Sequence, residues 1–306
     1  MIDLLTDPLV QRMLLVSVMV GATAPIVGTY LVHRRMSLLG DGIGHVALAG
    51  VAAGWLAGSA ADLAQVDALA IPGAIVFAVA GAVVIERMRA RGVAAADVIM
   101  AIMFYGGIAS GVLLISAAGG SNANLMGYLF GSISTASWTD VWVTVGLAAV
   151  ILIIGLGLRS ALFAVTHDQE FAYSTGLPVA ALNMVVAVLA AITVTAAMRV
   201  VGVLLVSGLM ILPVAIAQLI TRSFTRTMMI AMVTGVVLCL TGVGITLFYN
   251  LQPGALIVVL GVIVYTVVAS GAGLRKRRRR LRDEAGHGGH DDAHREHEHP
   301  TLGAPA

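Results

Sequence analysis

The amino-acid sequence predicts an all-α membrane protein with about nine transmembrane helices, and three observations lead to that fold class. The 306-residue chain is 59% hydrophobic and only 11% charged. Its mean hydropathy is +0.97. A typical soluble domain is about half apolar and about a quarter charged, so this chain is too apolar for that class. The chain also contains repeated apolar runs, and their lengths approach the roughly 20 residues that a helix needs to cross a bilayer.

Nine apolar segments are long enough, or nearly so, to be predicted as transmembrane helices. They are Met13–Val32, Leu38–Ala61, Ala68–Ile85, Val98–Ala118, Val141–Leu158, Ala181–Met198, Val200–Ile220, Met228–Tyr249 and Ala255–Gly271. The composition changes after the ninth segment, which divides the chain into a transmembrane domain over residues 1–274 and a polar tail over residues 275–306. The one cysteine, Cys239, lies inside an apolar segment, so no disulfide within the chain is expected.

The positions of the basic residues predict how these segments are oriented. Sixteen of the 18 Lys and Arg residues follow odd-numbered segments, and only Arg12 and Arg199 lie on the other side. Loops rich in Lys and Arg stay in the cytoplasm. We therefore expect the N-terminus outside and the C-terminus in the cytoplasm. A miscounted segment would break this alternation, so nine segments are favoured over eight or ten.

Two stretches outside the predicted spans have helical character. The outer stretch over residues 119–139 is weakly apolar. It predicts an interfacial or re-entrant helix, or else an ordinary loop with a short surface helix. The cytoplasmic stretch from His167 to Pro178 is polar and carries a helix-start and a helix-stop signal, so we expect a short helix on the cytoplasmic face.

An aspartate and a histidine stand four residues apart at the start of the second predicted span. Asp41 and His45 would share one face of a helix. Ionisable side chains inside a membrane are costly and usually mark a pathway or a site. Carboxylate and imidazole suit zinc, manganese or ferrous iron better than magnesium or potassium. A capped helix start with a satisfied histidine is the structural alternative.

The surroundings of this pair bear on how a metal ion would be held. Two side chains cannot close a metal site, but a permeation path needs binding that is weak enough to release the ion. Gly40, Gly42 and Gly44 could interrupt the helix beside a cavity or allow a neighbouring helix to pack closely. Asp97, at the start of the fourth predicted span, is expected to be a helix N-cap.

The tail contains a basic run and a histidine-rich segment. The unbroken run from Arg275 to Arg280 predicts an anchor at the lipid headgroups rather than a nucleic-acid site. The rest is too poor in apolar residues to pack. Its histidines suit loose metal binding, against the alternative of a solvated tail without a role. They are His287, His290, His294, His297 and His299.

Several enzyme signatures are missing from the sequence. The only lysine is Lys276, in the basic run, so the chain lacks the phosphate-binding loop of an ATPase. It also lacks the His-Glu-x-x-His helix of zinc hydrolases and the Gly-x-Ser-x-Gly turn of serine hydrolases. The sequence therefore offers almost no support for an enzyme, and the chain is not expected to hydrolyse ATP through a phosphate-binding loop of its own.

The residues around the Asp/His pair resemble a known family. The stretch RRMSLLGDGIGH, from Arg34 to His45, is similar to the second-helix signature of permease subunits of bacterial ATP-binding-cassette importers for zinc, manganese and iron, the ABC-3 family. Three further stretches agree with that family. They are 125–131 (LMGYLFG), 168–178 (DQEFAYSTGLP) and 198–215 (MRVVGVLLVSGLMILPVA). The resemblance covers about residues 10 to 270 and leaves out the tail.

The resemblance implies an assembly in the bacterial cytoplasmic (inner) membrane. The permease would be a homodimer, each copy would dock one cytoplasmic ABC ATPase, and an extracytoplasmic metal-binding protein would deliver the ion. The fold would be the type II importer fold, like that of the cobalamin permeases. No cofactor would be permanently bound, since the metal is the cargo. Asp41 and His45 would be the metal-handling pair of the pathway.

The resemblance also implies where the ATPase would make contact. The main contact would run from Pro213 to Arg226, and the residues expected to be exposed there are Gln218, Thr221, Arg222 and Ser223. A secondary contact would be the Asp168–Gly176 loop, which includes Glu170.

Two functional hypotheses follow from the sequence. The first is the permease of an ATP-driven importer of divalent transition metals, with zinc favoured by the imidazole and the histidine-rich tail, then manganese, then iron. The alternative is a self-sufficient secondary metal transporter such as a cation-diffusion exporter. Such exporters typically pair Asp and His twice in six helices, whereas this chain has one pair in nine predicted helices. The importer would be favoured if the genes for an ATPase and for a secreted binding protein lay next to the gene for this chain.

Overall fold

The computed structural model describes residues 7–62, 66–119, 122–131, 137–198, 201–249 and 251–273. These residues form twelve α-helices and one short 3-10 helix, Val66–Leu69. In chain order the helices are α1 (Pro8–His33), α2 (Leu39–Ala60), α3 (Ala70–Ala90), α4 (Ala96–Ala117), α5 (Asn122–Phe130), α6 (Trp138–Gly157), α7 (Arg159–His167), α8 (Gln169–Ser174), α9 (Val179–Ala197), α10 (Val203–Ile220), α11 (Phe224–Thr246) and α12 (Pro253–Gly273).

Nine of the helices in the described ranges are long and apolar enough to cross a membrane. They are all of the helices except α5, α7 and α8. This confirms the nine spans that the apolar segments predict, with ends that differ by about five residues at most. Apolar length identified the spans because a bilayer requires it of each spanning helix.

Polar caps set several helix ends that the apolar pattern misplaces. Asp7 accepts a hydrogen bond from the backbone amide of Leu9 at 2.8 Å, so α1 begins at Pro8 rather than at the predicted Met13. Ser137 and Asp140 form a capping box that starts α6 at Trp138, before the predicted Val141. Each cap satisfies backbone amides that would otherwise lack a partner.

The helices α1 and α2 form the centre of the bundle. α1 packs against α6, α9, α10 and α11, and α2 packs against α3, α4, α9 and α10. Small residues allow these close approaches, as is common between membrane helices. A Cβ atom on Gly28 of α1 would collide with the backbone carbonyl of Met210 in α10, so only glycine fits there.

One end of the bundle gathers basic side chains, and we call it the basic end. Arg34 follows α1 and donates a hydrogen bond from Nη2 to Oδ1 of Asn183 in α9 at 2.7 Å. Glu86 and Arg89 of α3 form an ion pair at 2.6 Å. Burial, and to a lesser extent the nearby Arg89, lower the pKa of Arg34 to about 10 against the opposing effect of Glu86, so Arg34 stays protonated at neutral pH.

Aromatic and histidine rings close the same end. The His33 ring at the end of α1 lies 5.9 Å from the His167 ring at the end of α7 and 5.1 Å from Phe224 at the start of α11. At the opposite end, the guanidinium of Arg12 lies 4.7 Å above the ring of Trp138. These contacts place the end of α1 beside the start of α11, and the start of α1 beside the start of α6, as the distribution of basic residues predicts.

The two stretches predicted to contain short helices both do. In the cytoplasmic stretch, Asp168 accepts a hydrogen bond from the Phe171 amide at 2.9 Å and starts α8, while α7 precedes it. In the outer stretch, α5 ends at Phe130 and is followed by Gly131, where φ is +80°. Gly202, which precedes α10, lies so close to this turn that a Cβ atom on it would collide with the carbonyl oxygen of Leu129. α5 is thus packed against the bundle.

Candidate functional site

The start of α2 positions the predicted metal-handling pair. The chain turns at Arg35, where φ is +56°, and α2 begins at Leu39. Asp41 lies in the first helical turn, where the exposed backbone amides favour a carboxylate. His45 follows one turn later on the same face. Asp41 is half-buried and His45 is only 2% exposed.

The imidazole of His45 is packed between helices, but its Nδ1 atom lacks a partner. The ring lies edge-on to Phe104 of α4, with 4.3 Å between centroids. Nδ1 is buried without a hydrogen-bond partner in the described residues. A buried polar atom left unpaired costs about 1–3 kcal/mol. His45 is therefore not the internally satisfied histidine that the structural alternative requires.

A glycine of α4 brings the backbones of α2 and α4 together at His45. A Cβ atom on Gly107 would lie 2.5 Å from the carbonyl carbon of His45, which is too close for any side chain. α2 itself is unbroken from Leu39 to Ala60. Gly42 and Gly44 of α2 face Met100 and Val203 at van der Waals distance or slightly closer. These glycines therefore allow close helix packing and do not interrupt the helix.

A cavity of about 180 Å³ opens between the start of α2 and the start of α4. Its lining includes two carboxylates, Asp41 from α2 and Asp97 from α4. The remaining lining residues are Leu38, Gly42, Met100, Ala101, Phe104 and Tyr105. The prediction that Asp97 caps α4 is wrong, because the N-cap is Ala95 and Asp97 is the second helical residue, exposed at the cavity.

The structure brings Asp41 and His45 to one helix face but not into one open cavity. Asp41 lines the cavity and His45 does not. Phe104 lines the cavity and also contacts the imidazole, so its ring covers His45 on that side. The described residues contain no group of three or more His, Cys, Asp or Glu side chains placed to hold a metal ion. One chain thus offers an incomplete ligand set in this conformation.

The residues predicted to contact an ATPase are distributed unevenly. Pro213 is buried inside α10, so its side chain is not available to a partner, and this part of the prediction needs correction. Thr221 is half-buried in a short turn before α11, while Gln218, Arg222, Ser223 and Arg226 are exposed. Asp168 and Glu170 are exposed at α8, where the Asp168 carboxylate already caps the helix.

The predicted tail histidines lie outside the described residues. These are His287, His290, His294, His297 and His299. The sequence reasoning missed two neighbours of the site, Asp97 and Phe104, because both come from a helix more than 50 residues further along the chain. The only sequence signal for Asp97 was a carboxylate at the edge of an apolar segment, which also fits a cap.

The amino-acid sequence of this chain is similar to those of known proteins. A family model described as the ABC 3 transport family matches residues 6–271. The chain is 28% identical over 265 residues to the manganese transport system membrane protein MntC of Halalkalibacterium halodurans, covering 87% of this chain and 88% of that protein. It is 31% identical over 261 residues to the chelated iron transport system membrane protein YfeD of Yersinia pestis, covering 85% and 84%.

Two solved structures share the arrangement of helices. The structure of PsaBC from Streptococcus pneumoniae in complex with Fab aligns with a TM-score of 0.76 and 28% identity, covering 87% of this chain and 93% of that one. An inward-facing conformation of a metal-chelate type ABC transporter aligns with a TM-score of 0.67 and 18% identity, which shows a shared fold only. The fold implied by the resemblance is confirmed.

Proposed function

Because the chain belongs to the ABC 3 transport family, it is a permease of an ABC metal importer, and we propose that its cargo is a divalent first-row transition-metal ion. The observation that carries this proposal is the pairing of Asp41 and His45 at the contact between α2 and α4. The pair combines a carboxylate with a buried imidazole whose Nδ1 has no partner in the described chain. Such ionisable groups inside a membrane protein suit a cation pathway.

We place the pathway between two copies of the chain. The exposed face of α4 carries Val98, Ile102 and Tyr105, and it continues into the cavity that Asp41 and Asp97 line. Apolar exposure alone fits lipid, but carboxylates bordering such a face are costly unless water, a cation or a partner covers them. A second copy facing this cavity would enclose it and add further ligands. Alternating access would then open the path first to one side and then to the other.

We propose that the basic end faces the cytoplasm and docks the separate ATPase. This orientation follows from the distribution of Lys and Arg. The docking surface would comprise α7 and α8, together with the exposed residues from Arg222 to Arg226. Phe171 and Tyr173 of α8 are exposed aromatic side chains, 61% and 78% respectively. Aromatic residues are enriched where proteins bind each other. The opposite end would receive the ion from an extracytoplasmic binding protein.

Among the candidate metals we place manganese first, iron second and zinc third. The relatives compared above are named for manganese and iron. The cavity also supplies carboxylate oxygens, which suit manganese better than they suit zinc. The sequence favours zinc only through the imidazole and through a tail that lies outside the described residues. We propose that the tail buffers metal without being required for transport.

The test is uptake by the assembled importer in proteoliposomes, with permease, ATPase and binding protein present. We expect ATP-dependent accumulation of manganese, with less iron and least zinc. Asp41→Asn and His45→Gln permeases should lose nearly all uptake while still binding the ATPase. Asp62→Asn, at the other end of α2, is the matched control and should transport normally. Normal uptake by both Asp41→Asn and His45→Gln would remove the pair from the pathway.

A further inference from the structure

We propose that Asp97 is a second carboxylate ligand for the transported cation and acts with Asp41 at the cavity between α2 and α4. This inference rests on the proposed function, because it names a further residue that handles the same cargo. Asp97 does not cap α4, although its position in the sequence suggests a cap, because the N-cap residue is Ala95. No hydrogen bond or ion pair joins Asp97 to another described residue.

The two carboxylates come from different helices and share one cavity. Asp41 and Asp97 both line the space of about 180 Å³, which is large enough for a cation that keeps several waters. Two like charges facing one cavity repel each other, and a cation between them removes that repulsion. Gly42, beside Asp41, adds no side chain to fill the space.

The buried imidazole next to the cavity independently points to a cation. His45 is 2% exposed, its Nδ1 atom has no partner in the described chain, and it lies one helical turn beyond Asp41. Its ring packs against Phe104, which forms a wall of the cavity. The imidazole and the carboxylates are therefore neighbouring ligand positions separated by one aromatic ring.

The donor set at this cavity has a consequence for selectivity. His45 is outside the cavity, and no described group of three ligands closes around an ion. The two carboxylates would therefore hold the cation together with water, weakly enough to release it. Oxygen ligands suit manganese, whereas zinc also accepts nitrogen and sulfur ligands, so loss of one carboxylate should weaken manganese binding more than zinc binding. Asp97 would thus bias transport towards manganese.

The experiment compares permease variants in the reconstituted importer supplied with equal manganese and zinc. Asp97→Asn should lower manganese uptake at least about tenfold, since even residues that only support the ligands of a metal site cost about 10–100-fold in affinity or activity. The ratio of manganese to zinc uptake should also fall, which a purely structural role would not produce. Asp97→Glu, which keeps the carboxylate, should retain most of the uptake and the ratio. Asp62→Asn, an exposed carboxylate at the far end of α2, should match the unmodified chain.

Two results would overturn the assignment of Asp97. One is an Asp97→Asn permease whose manganese uptake, and whose ratio of manganese to zinc uptake, equal those of the unmodified chain. The other is an equal loss of both metals with an unchanged ratio, which would make Asp97 a structural residue. An unmodified importer that accumulates none of manganese, iron and zinc when each is supplied in turn would overturn the proposed function itself, and this inference with it.

Discussion

His45 owes its position to a neighbour without a side chain. Gly107 of α4 lies against the His45 backbone, and this contact lets Phe104 reach the imidazole ring. A methyl group at position 107 would meet backbone atoms of α2, which cannot move aside as the end of a flexible side chain can. The two helices would have to separate, and the contact between the imidazole and Phe104 would change with them.

Gly107→Ala should therefore destabilise the permease although alanine is the better helix former. Overpacking of a close contact typically costs about 1–3 kcal/mol. Gly146→Ala is the matched control, because a Cβ atom there meets nothing within 4 Å and the substitution should be neutral or stabilising. Thermal unfolding of the purified permease measures both. Equal stability of the two variants would show that the α2–α4 contact relaxes at no cost.

Single-residue predictions from the sequence were right only where the relevant contact is local. The four-residue spacing correctly predicts that Asp41 and His45 share a helix face, because helical geometry alone determines it. The same reasoning misplaced Asp97 as a cap, because α4 begins at Ala96, one residue before the aspartate. It also left open whether Gly42 and Gly44 break α2, which only their packing partners could decide.

At the scale of helices, α7 and α8 stand apart from the rest. They are too short to span a bilayer, and they lie at the basic end, where His167 of α7 contacts His33 of α1. Asp168 fixes the start of α8, which leaves Phe171 and Tyr173 exposed. Apolar aromatic side chains on a short polar helix suit a protein partner. The docking surface proposed above therefore centres on α8 rather than on the buried Pro213.

Tyr173→Ala should weaken binding of the ATPase to the permease. Truncating an aromatic anchor typically costs 1–2 kcal/mol or more, which is roughly a fivefold to thirtyfold loss of affinity. Tyr249→Ala is the matched control, because Tyr249 is 65% exposed just after α11, at the end away from α8. Co-purification at graded ATPase concentrations measures both. Equal loss from the two variants would argue against α8 as the docking site.

The spans themselves were well predicted, and their ends less so. Apolar length alone identifies a spanning helix, because the bilayer requires a similar number of apolar residues from each one. The ends depend on polar caps such as Asp7 and the Ser137–Asp140 box, which lie just outside the apolar runs. Those caps have recognisable sequence patterns, whereas the packing of α5 against Gly202 has none.

At the scale of the whole molecule, the nine described spans leave several apolar faces exposed. α12 is the least buried of them, and α4 and α6 also show large exposed side chains. A membrane protein needs no partner for such faces, since lipid covers them. The α4 face differs because it leads into a cavity with two carboxylates. We therefore propose that a second copy of the chain covers this face and that lipid covers the others.

Cysteine cross-linking in native membranes tests this assignment most directly, because the only cysteine, Cys239, is buried and will not react. Tyr105→Cys and Ile153→Cys would introduce thiols at equally exposed positions, 70% on α4 and 71% on α6. A bifunctional thiol reagent should convert the Tyr105→Cys permease into a covalent dimer and leave Ile153→Cys monomeric. A monomeric Tyr105→Cys permease, with or without cross-linking at position 153, would contradict a pathway shared between two copies along α2 and α4.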